Sequence, residues 1–297
     1  MPAAFAPSND IEICYETFGH PDDSPLLLVM GFSAQMIAWD EAFCQGLAER
    51  GRFVIRFDNR DCGLSSKLDG IEVDLVAIMT AVALGQVATV PAPYTLSTFS
   101  DDAFGLLDHL GIDQAHIVGA SMGGMIVQTM AVERPGRVLS MTSIMSTTGE
   151  ADYFKSDPEV MAALLTPAPT EREAFIEFNA NRGPLFSSPR YFDRARSEAL
   201  AAAVFDRSFY PEGAARQLAA IQASADRSEA LRSLTVPTLV LHGAADRLIL
   251  PIGGERTAEL IPGANHLVLK DMAHDLPQPL WPLVIDAIIS HSTHRVG

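Results

Sequence analysis

Basic residues are scarce in this chain. Lysine and arginine number 21 against 37 aspartates and glutamates, a formal charge of -16. With no basic stripe for phosphates, nucleic acid is not an expected partner, and polyanionic substrates gain no long-range attraction. Neutral or cationic small molecules fit better. Cysteine is scarcer still: Cys14, Cys44 and Cys62 are too few and too irregularly spaced for a disulfide framework or a metal site. Reduced thiols in a cytoplasm are the simplest reading. The opening Met-Pro-Ala-Ala-Phe-Ala-Pro has no basic residue and too short an apolar run for a secretory signal. Long apolar runs are missing too. The longest, residues 73–90, carries Asp74 and Gln86 and is marginal for a bilayer. No repeat and no low-complexity tract occurs. These absences predict a cytoplasmic globular protein without a membrane span, and 48% hydrophobic residues over a length of 297 supply an ample core. No oligomeric state follows from the pattern.

What is present is an alternation of strands and helices. Ile11–Phe18 alternates apolar and polar residues, as a half-buried antiparallel strand does. Residues 26–29 and 53–57 read as central strands of a parallel sheet, with a helix predicted over 34–50 between them and Gly51 closing it. A polar loop at 58–65 and an apolar segment at 71–93 follow. The next helix covers 96–110, with Ser97 or Ser100 as cap. Strands at 115–118 and 138–144 flank a further helix at 125–132. Over 147–232 the strand runs give way to helical periodicity. Thirteen acids and ten bases fall there, so most of the net negative charge lies elsewhere. Strands resume at 238–241 and 266–269 around a helix at 254–261, and an amphipathic helix at 280–290 closes the pattern. Such alternation predicts an α/β fold, a mostly parallel central sheet flanked by helices. Residues 1–146 and 233–297 form the expected core, and 147–232 an inserted helical cap over the carboxyl edge of the sheet, where such folds bind ligands.

The strand at 115–118 runs into its helix through Gly119-Ala120-Ser121-Met122-Gly123. Gly-x-Ser-x-Gly between a buried strand and a helix is the nucleophile elbow. The turn is so tight that the serine is strained, and the positions two residues either side, Gly119 and Gly123, must be nearly without side chains. The hydroxyl then projects at the positive end of the helix. The pentapeptide recurs by chance in many chains; its setting is what makes it specific. A serine hydroxyl needs a base, and the base an orienting acid. Both follow at strand ends. His242-Gly243-Ala244-Ala245-Asp246 puts Asp246 in the loop after one buried strand. Asp271-Met272-Ala273-His274 puts His274 in the loop after the next, so both open onto the edge that carries Ser121. Asp271 and Asp275 read as solvated loop acids. Among the other histidines, His242 at a strand end reads as structural or cleft-lining. His266 opens the last strand, His291 and His294 lie in the tail, and His20, His109 and His116 flank loops or helices.

Serine, aspartate, histidine is the chain order of the α/β-hydrolases, and the chain resembles that family, of the abhydrolase-1 type, over nearly all its length except the cap. Gly243-Ala244-Ala245-Asp246 resembles the family's Gly-x-x-Asp acid loop. Met272-Ala273-His274 resembles its Gly-His histidine loop, with Ala273 where glycine is usual. Some members carry the acid after the strand that follows the elbow. Here that strand leads into Ser146-Thr147-Thr148, with no carboxylate before Glu150, so Asp246 is the better candidate. The resemblance also implies an oxyanion hole of two backbone N–H donors. One belongs to Met122. The other belongs to Phe32 in Met30-Gly31-Phe32, where the family has His-Gly-x and Gly31 lets the chain approach closely. Val29-Met30-Gly31 with Trp39, and Asp58-x-Arg60-Asp61-x-Gly63-x-Ser65, resemble the serine-esterase subgroup that includes aclacinomycin methylesterase. The Asp58 loop reads as structural, its charges satisfying loop backbone. The segment 71–93 is longer than that subgroup implies and is expected as an additional apolar wall near the cleft.

The expected activity is serine-dependent hydrolysis of carboxylic esters, small apolar or aromatic ones, through an acyl-enzyme. Ser121 attacks, His274 moves the proton, and Asp246 orients the imidazole. No metal or organic cofactor is implied; the partner is a small-molecule ester. The elbow serine excludes the relatives that attack with aspartate, haloalkane dehalogenases and epoxide hydrolases. Carbon–carbon bond hydrolases, lactonases and cofactor-free perhydrolases use the same triad and stay open at this point. So does a catalytically idle ligand-binding homologue.

Overall fold

Eight strands join into one sheet in the computed structural model, which describes residues 3–83, 91–224 and 226–293. The strands are β1 (Ala4–Ser8), β2 (Ile11–Phe18), β3 (Ser24–Val29), β4 (Arg52–Phe57), β5 (Ala115–Ala120), β6 (Val138–Ile144), β7 (Thr238–Gly243) and β8 (Asn265–Leu269). Their order across the sheet is β1-β2-β4-β3-β5-β6-β7-β8. From β4 to β8 all neighbours are parallel, and β2 is antiparallel to both β1 and β4. The helices are α1 (Glu41–Ala48), α2 (Leu75–Ala83), α3 (Leu96–His109), α4 (Met122–Glu133), α5 (Pro158–Leu165), α6 (Arg172–Phe186), α7 (Arg194–Ser208), α8 (Glu212–Ala223), α9 (Ser228–Leu231), α10 (Ile252–Leu260) and α11 (Trp281–Thr293). This is the expected α/β architecture of a mostly parallel sheet flanked by helices. None of the described helices is long and apolar enough to cross a membrane.

The apolar runs work as central strands because both faces of the sheet are covered. Along β3, Leu27 and Val29 enter one buried cluster with Phe99, Phe104, Ile126 and Met130 of α3 and α4. Leu26 and Leu28 enter the other, with Phe43 and Leu47 of α1 and Val284 and Ile288 of α11. Side chains alternate across a strand, so a run with no polar member feeds two cores at once. Each such leucine contributes about 1.5–3 kcal/mol on burial.

Three boundaries differ from the sequence expectation. The helix predicted from residue 34 starts only at Glu41. Met36–Ala38 forms a separate 3-10 turn, and the Asp40 carboxylate caps α1 by accepting from Ala42 N–H at 2.8 Å. The cap of α3 is Thr95 rather than Ser97 or Ser100; its N–H donates to Thr98 Oγ1 at 3.2 Å. β1 was not foreseen, since Pro7 interrupts its pattern; an edge strand tolerates a proline that a central strand would not. His116, expected beside a loop or helix, lies within β5. Of the apolar segment at 71–93, α2 packs through Ile78 onto Ala219 of α8, and residues 84–90 lie outside those described, as does His294.

Helices α5 to α9 follow one another between β6 and β7, with no strand among the described residues there. They meet the sheet's loops through buried charge. Asp58 accepts from Met36 N–H and Leu64 N–H and pairs with Arg207 of α7 at 2.7 Å. Asp61 receives both arms of Arg216 of α8 at 2.8 and 2.9 Å, with Tyr94 Oη donating to it at 2.7 Å. The Asp58 loop therefore satisfies backbone as expected and also binds the arginines of the helical insertion. Burial opposes the charge of Asp61, but Arg216, Leu68 N–H and Tyr94 overcome it and hold the carboxyl below its ordinary range.

Arg216→Ala would leave the Asp61 carboxylate buried without its cation, a loss of about 3–5 kcal/mol in urea unfolding at neutral pH. Since the folded carboxyl titrates below the unfolded one, this stabilisation is present above about pH 4 and fades as pH falls through the folded value. The gap between wild type and variant is expected to narrow below about pH 4.

Candidate active site

The elbow is built by backbone approaching backbone. Ser121 sits at φ 58°, ψ -120°, between β5 and the first residue of α4. A Cβ on Gly119 would overlap the carbonyl of Gly123, and a Cβ on Gly123 would overlap the carbonyl of Val29. Those two glycines let α4 start directly over the end of β3. The Ser121 N–H donates to Ile144 O at 2.9 Å, and Ser146 Oγ donates to Ser121 O at 2.8 Å, so β6 fixes the turn from the other side.

The loops after β7 and β8 deliver the partners. His274 Nε2 lies 2.9 Å from Ser121 Oγ, and His274 Nδ1 lies 2.7 Å from Asp246 Oδ2. Asp246 is buried, and its other oxygen accepts from Leu248 N–H at 2.9 Å and Ile249 N–H at 3.0 Å. Burial works against its charge, yet His274 and His242 bring its pKa down to about 2. An ionised carboxylate only accepts, so Nδ1 of His274 carries a hydrogen and Nε2 is left to accept from the serine hydroxyl. The acid loop and the histidine loop are packed together: a Cβ on Gly243 would overlap the carbonyls of Met272 and Ala273.

His242 is expected from the sequence to be structural or cleft-lining. It is fully buried, its Nε2 lies 2.9 Å from Ile249 O, and the same nitrogen is 3.4 Å from Asp246 Oδ2. A carbonyl can only accept, so this nitrogen carries a hydrogen that also faces the carboxylate. Asp275 departs from the expected solvated loop acid: its carboxylate accepts from Ser188 N–H at 3.0 Å and Ala273 N–H at 3.3 Å. Burial raises its pKa, those two N–H groups notwithstanding. Asp271 is partly covered, pairing with Arg190 at 2.7 Å. The backbone N–H of His274 itself donates to Phe186 O, at the end of α6, at 2.9 Å. The ties to Ser188, Arg190 and Phe186 escape sequence reading because those partners lie more than 80 residues away.

The loop Met30-Gly31-Phe32 comes up against the elbow. A Cβ on Gly31 would lie 2.9 Å from Ala120 O, 3.0 Å from Ser121 Cβ and 3.6 Å from Met122 N. Phe32 is partly buried against the main core, and Met122 is buried. The three cysteines are free and buried, and burial first of all pushes Cys14 up to about 11 and Cys44 and Cys62 to about 12. A thiol held protonated in this way is a poor nucleophile. Among the described residues, no group of three or more histidine, cysteine, aspartate or glutamate side chains is placed to hold a metal ion.

Residues 24–277 match the family described by the α/β hydrolase fold. The chain belongs to that family. Among named relatives, rhodomycin D methylesterase DauP of Streptomyces sp. (strain C5) is 28% identical over 98% of each chain. Its counterpart DnrP of Streptomyces peucetius is 27% identical, again over 98% of each. In fold, the chain is similar to the esterase RhEst1 from Rhodococcus sp. ECU1013, with a TM-score of 0.76 at 19% identity over 99% of each chain. The enol-lactonase from Burkholderia xenovorans LB400 superimposes with a TM-score of 0.75 at 21% identity, over 98% of this chain and 100% of the other.

The elbow's packing gives a direct expectation. Gly123→Ala forces α4 away from Val29 and is expected to lower stability by about 1–3 kcal/mol in urea unfolding, as overpacking does. The reactivity of Ser121 toward a fluorophosphonate should fall with it.

Proposed function

We propose that this α/β hydrolase is a serine-dependent carboxylic ester hydrolase acting on small apolar or aromatic esters. The observation that carries the reading is the continuous relay from Ser121 through His274 to Asp246, at 2.9 and 2.7 Å, with the serine on a strained turn at a helix start. The whole-length likeness to two methylesterases favours an ester over the other substrates open to such a relay. In this reading Ser121 is the nucleophile, His274 the base and acid, Asp246 the orienting carboxylate, and the Met122 and Phe32 N–H groups the oxyanion hole.

In this mechanism Ser121 Oγ bonds to the ester carbonyl carbon while its proton passes to His274 Nε2. The carbonyl oxygen becomes an oxyanion, held by the N–H groups of Met122 and Phe32. As the tetrahedral centre collapses, the carbon–oxygen bond to the alcohol breaks and the alcohol leaves with the proton from His274. A water then attacks the acyl-enzyme, giving a proton to His274, which returns it to Ser121 as the carboxylic acid departs. The ionised Asp246 stabilises the imidazolium in both halves. The helical insertion is read as a cap over this site. The buried, unpaired thiols of Cys14, Cys44 and Cys62 favour a reducing compartment, and we place the enzyme in the cytoplasm.

The test is labelling by a fluorophosphonate together with turnover of p-nitrophenyl and aromatic methyl esters. Wild type is expected to label once and to hydrolyse both. Ser121→Ala should lose both signals, and Asp246→Asn should lower kcat on the order of 10³–10⁴-fold. A well-folded wild type that neither labels nor turns over would overturn the esterase reading in favour of a ligand-binding role.

A further inference from the structure

We infer that Gln217, in the helical insertion, is a positioning residue for the oxyanion loop; the inference rests on the esterase reading above. Gln217 lies on α8 and is fully buried, 184 residues away from the loop it touches. Its carboxamide makes two hydrogen bonds, both to core backbone. Oε1 accepts from Ser33 N–H at 2.8 Å, and Nε2 donates to Arg60 O at 2.8 Å. An N–H must meet the oxygen and a carbonyl must meet the nitrogen, so the two partners fix the orientation of the amide.

The peptide that Gln217 grips is the one joining Phe32 to Ser33. Its plane is separated from the plane bearing the Phe32 N–H by only the two dihedrals of residue 32, so holding one narrows the orientations open to the other. The loop needs holding. Ser33 sits at φ 55°, a left-handed conformation that a non-glycine residue keeps only when its surroundings impose it. The other end of the loop is tied from the core, where Asn59 Nδ2 donates to Met30 O at 2.9 Å. Beyond Ser33, Gln35 Nε2 donates to Val204 O and Ser208 O of α7, both at 2.8 Å.

α8 is itself seated at this point. Arg216, the neighbour of Gln217, forms the double hydrogen bond to Asp61, and a Cβ on Gly213 would overlap Asp61 O. The oxyanion loop therefore lies between an anchored cap helix and the elbow, where Gly31 abuts Ser121 Cβ. A preorganised donor acts on charge that develops only in the transition state. A loop displaced by a fraction of an ångström costs turnover without costing substrate affinity.

The decisive variant is Gln217→Met, of similar length and without hydrogen bonds. Complete fluorophosphonate labelling counts the folded, competent sites, and kcat is expressed per labelled site. An arylboronic acid, which adds to the serine as a tetrahedral anion, reports on the oxyanion hole. The expected result is a fall in kcat of about ten- to a hundred-fold with KM changed by less than about two-fold. Boronate affinity should fall by the same factor. Wild-type kcat and boronate affinity would overturn the proposal, and so would a raised KM at unchanged kcat, which is the signature of a loosened binding cleft. If the methionine variant fails to label fully, Gln217→Asn, whose amide is one methylene short of both partners, decides on the same criteria. A wild type that never labels removes the esterase reading itself, an outcome distinct from a wild type that labels and a Gln217 variant that is unimpaired.

Discussion

The site depends on one close approach of backbone to backbone, the start of α4 against the end of β3. With Gly123 against the carbonyl of Val29 and Gly119 against Gly123, no side chain larger than hydrogen fits. Only that approach allows Ser121 to turn the corner at φ 58°, a conformation that costs on the order of 1–3 kcal/mol. The cost is offset locally. Ser121 contributes its N–H to Ile144 O and its carbonyl to Ser146 Oγ, and α4 buries Ile126, Val127 and Met130. Each of those side chains is worth about 1.5–3 kcal/mol. The reactive geometry is thus maintained by a core that would exist without the chemistry.

A second constraint acts where the helical insertion meets the core. Asp58 and Asp61 are both buried, as are Arg60 and Arg216, in a chain whose surface carries a large excess of acid. Buried ion pairs of this kind gain little net free energy, because desolvation offsets their attraction. Their geometry is what matters: a guanidinium fork on a carboxylate admits one orientation. Paired with Asp61, Arg216 sets the angle at which α8 lies on the loop after β4. At the far side, Ser188 and the carbonyl of Phe186 bind the histidine loop through Asp275, Asp271 and the His274 N–H. The insertion consequently touches two of the loops on which the proposed chemistry relies, through bonds that a freely swinging lid could not keep.

Much of this was legible in the order of residues. Strand positions came through because 26–29 and 115–118 have no polar alternation to mistake, and the elbow glycines were legible because close packing admits no alternative residue. The meeting of Ser121, Asp246 and His274 was legible because loops after parallel strands open on one edge. Helix starts were less clear: α1 begins at its Asp40 cap rather than at residue 34, and Thr95 caps α3 in place of Ser97 or Ser100, for reasons of local geometry that composition does not carry. His242 was legible as a structural residue, but the roles of Asp275 and Gln217 were not legible at all. Each depends on a partner brought close by the fold, and a glutamine in the middle of an amphipathic helix looks the same whether it faces water or a peptide group. Pro7 hid β1 because the pattern cannot say which strand will lie at an edge.

Two departures from the family's pattern become intelligible on the same footing. Met30 stands where histidine is usual and Ala273 where glycine is usual, yet neither side chain is asked to do chemistry. Met30 enters the core between the sheet and α1 while its carbonyl accepts from Asn59, so the loop is held by the main chain whatever the side chain. Ala273 is buried, and its N–H bonds to Asp275 in the same loop that gives His274 N–H to Phe186. A methyl group is tolerated there because the close approach falls to Gly243 on the facing loop instead. Where a loop is positioned through its peptide groups, residue identity is free to drift so long as volume and backbone conformation are kept. Where the approach itself is made of backbone, as at Gly119, Gly123 and Gly243, it is not.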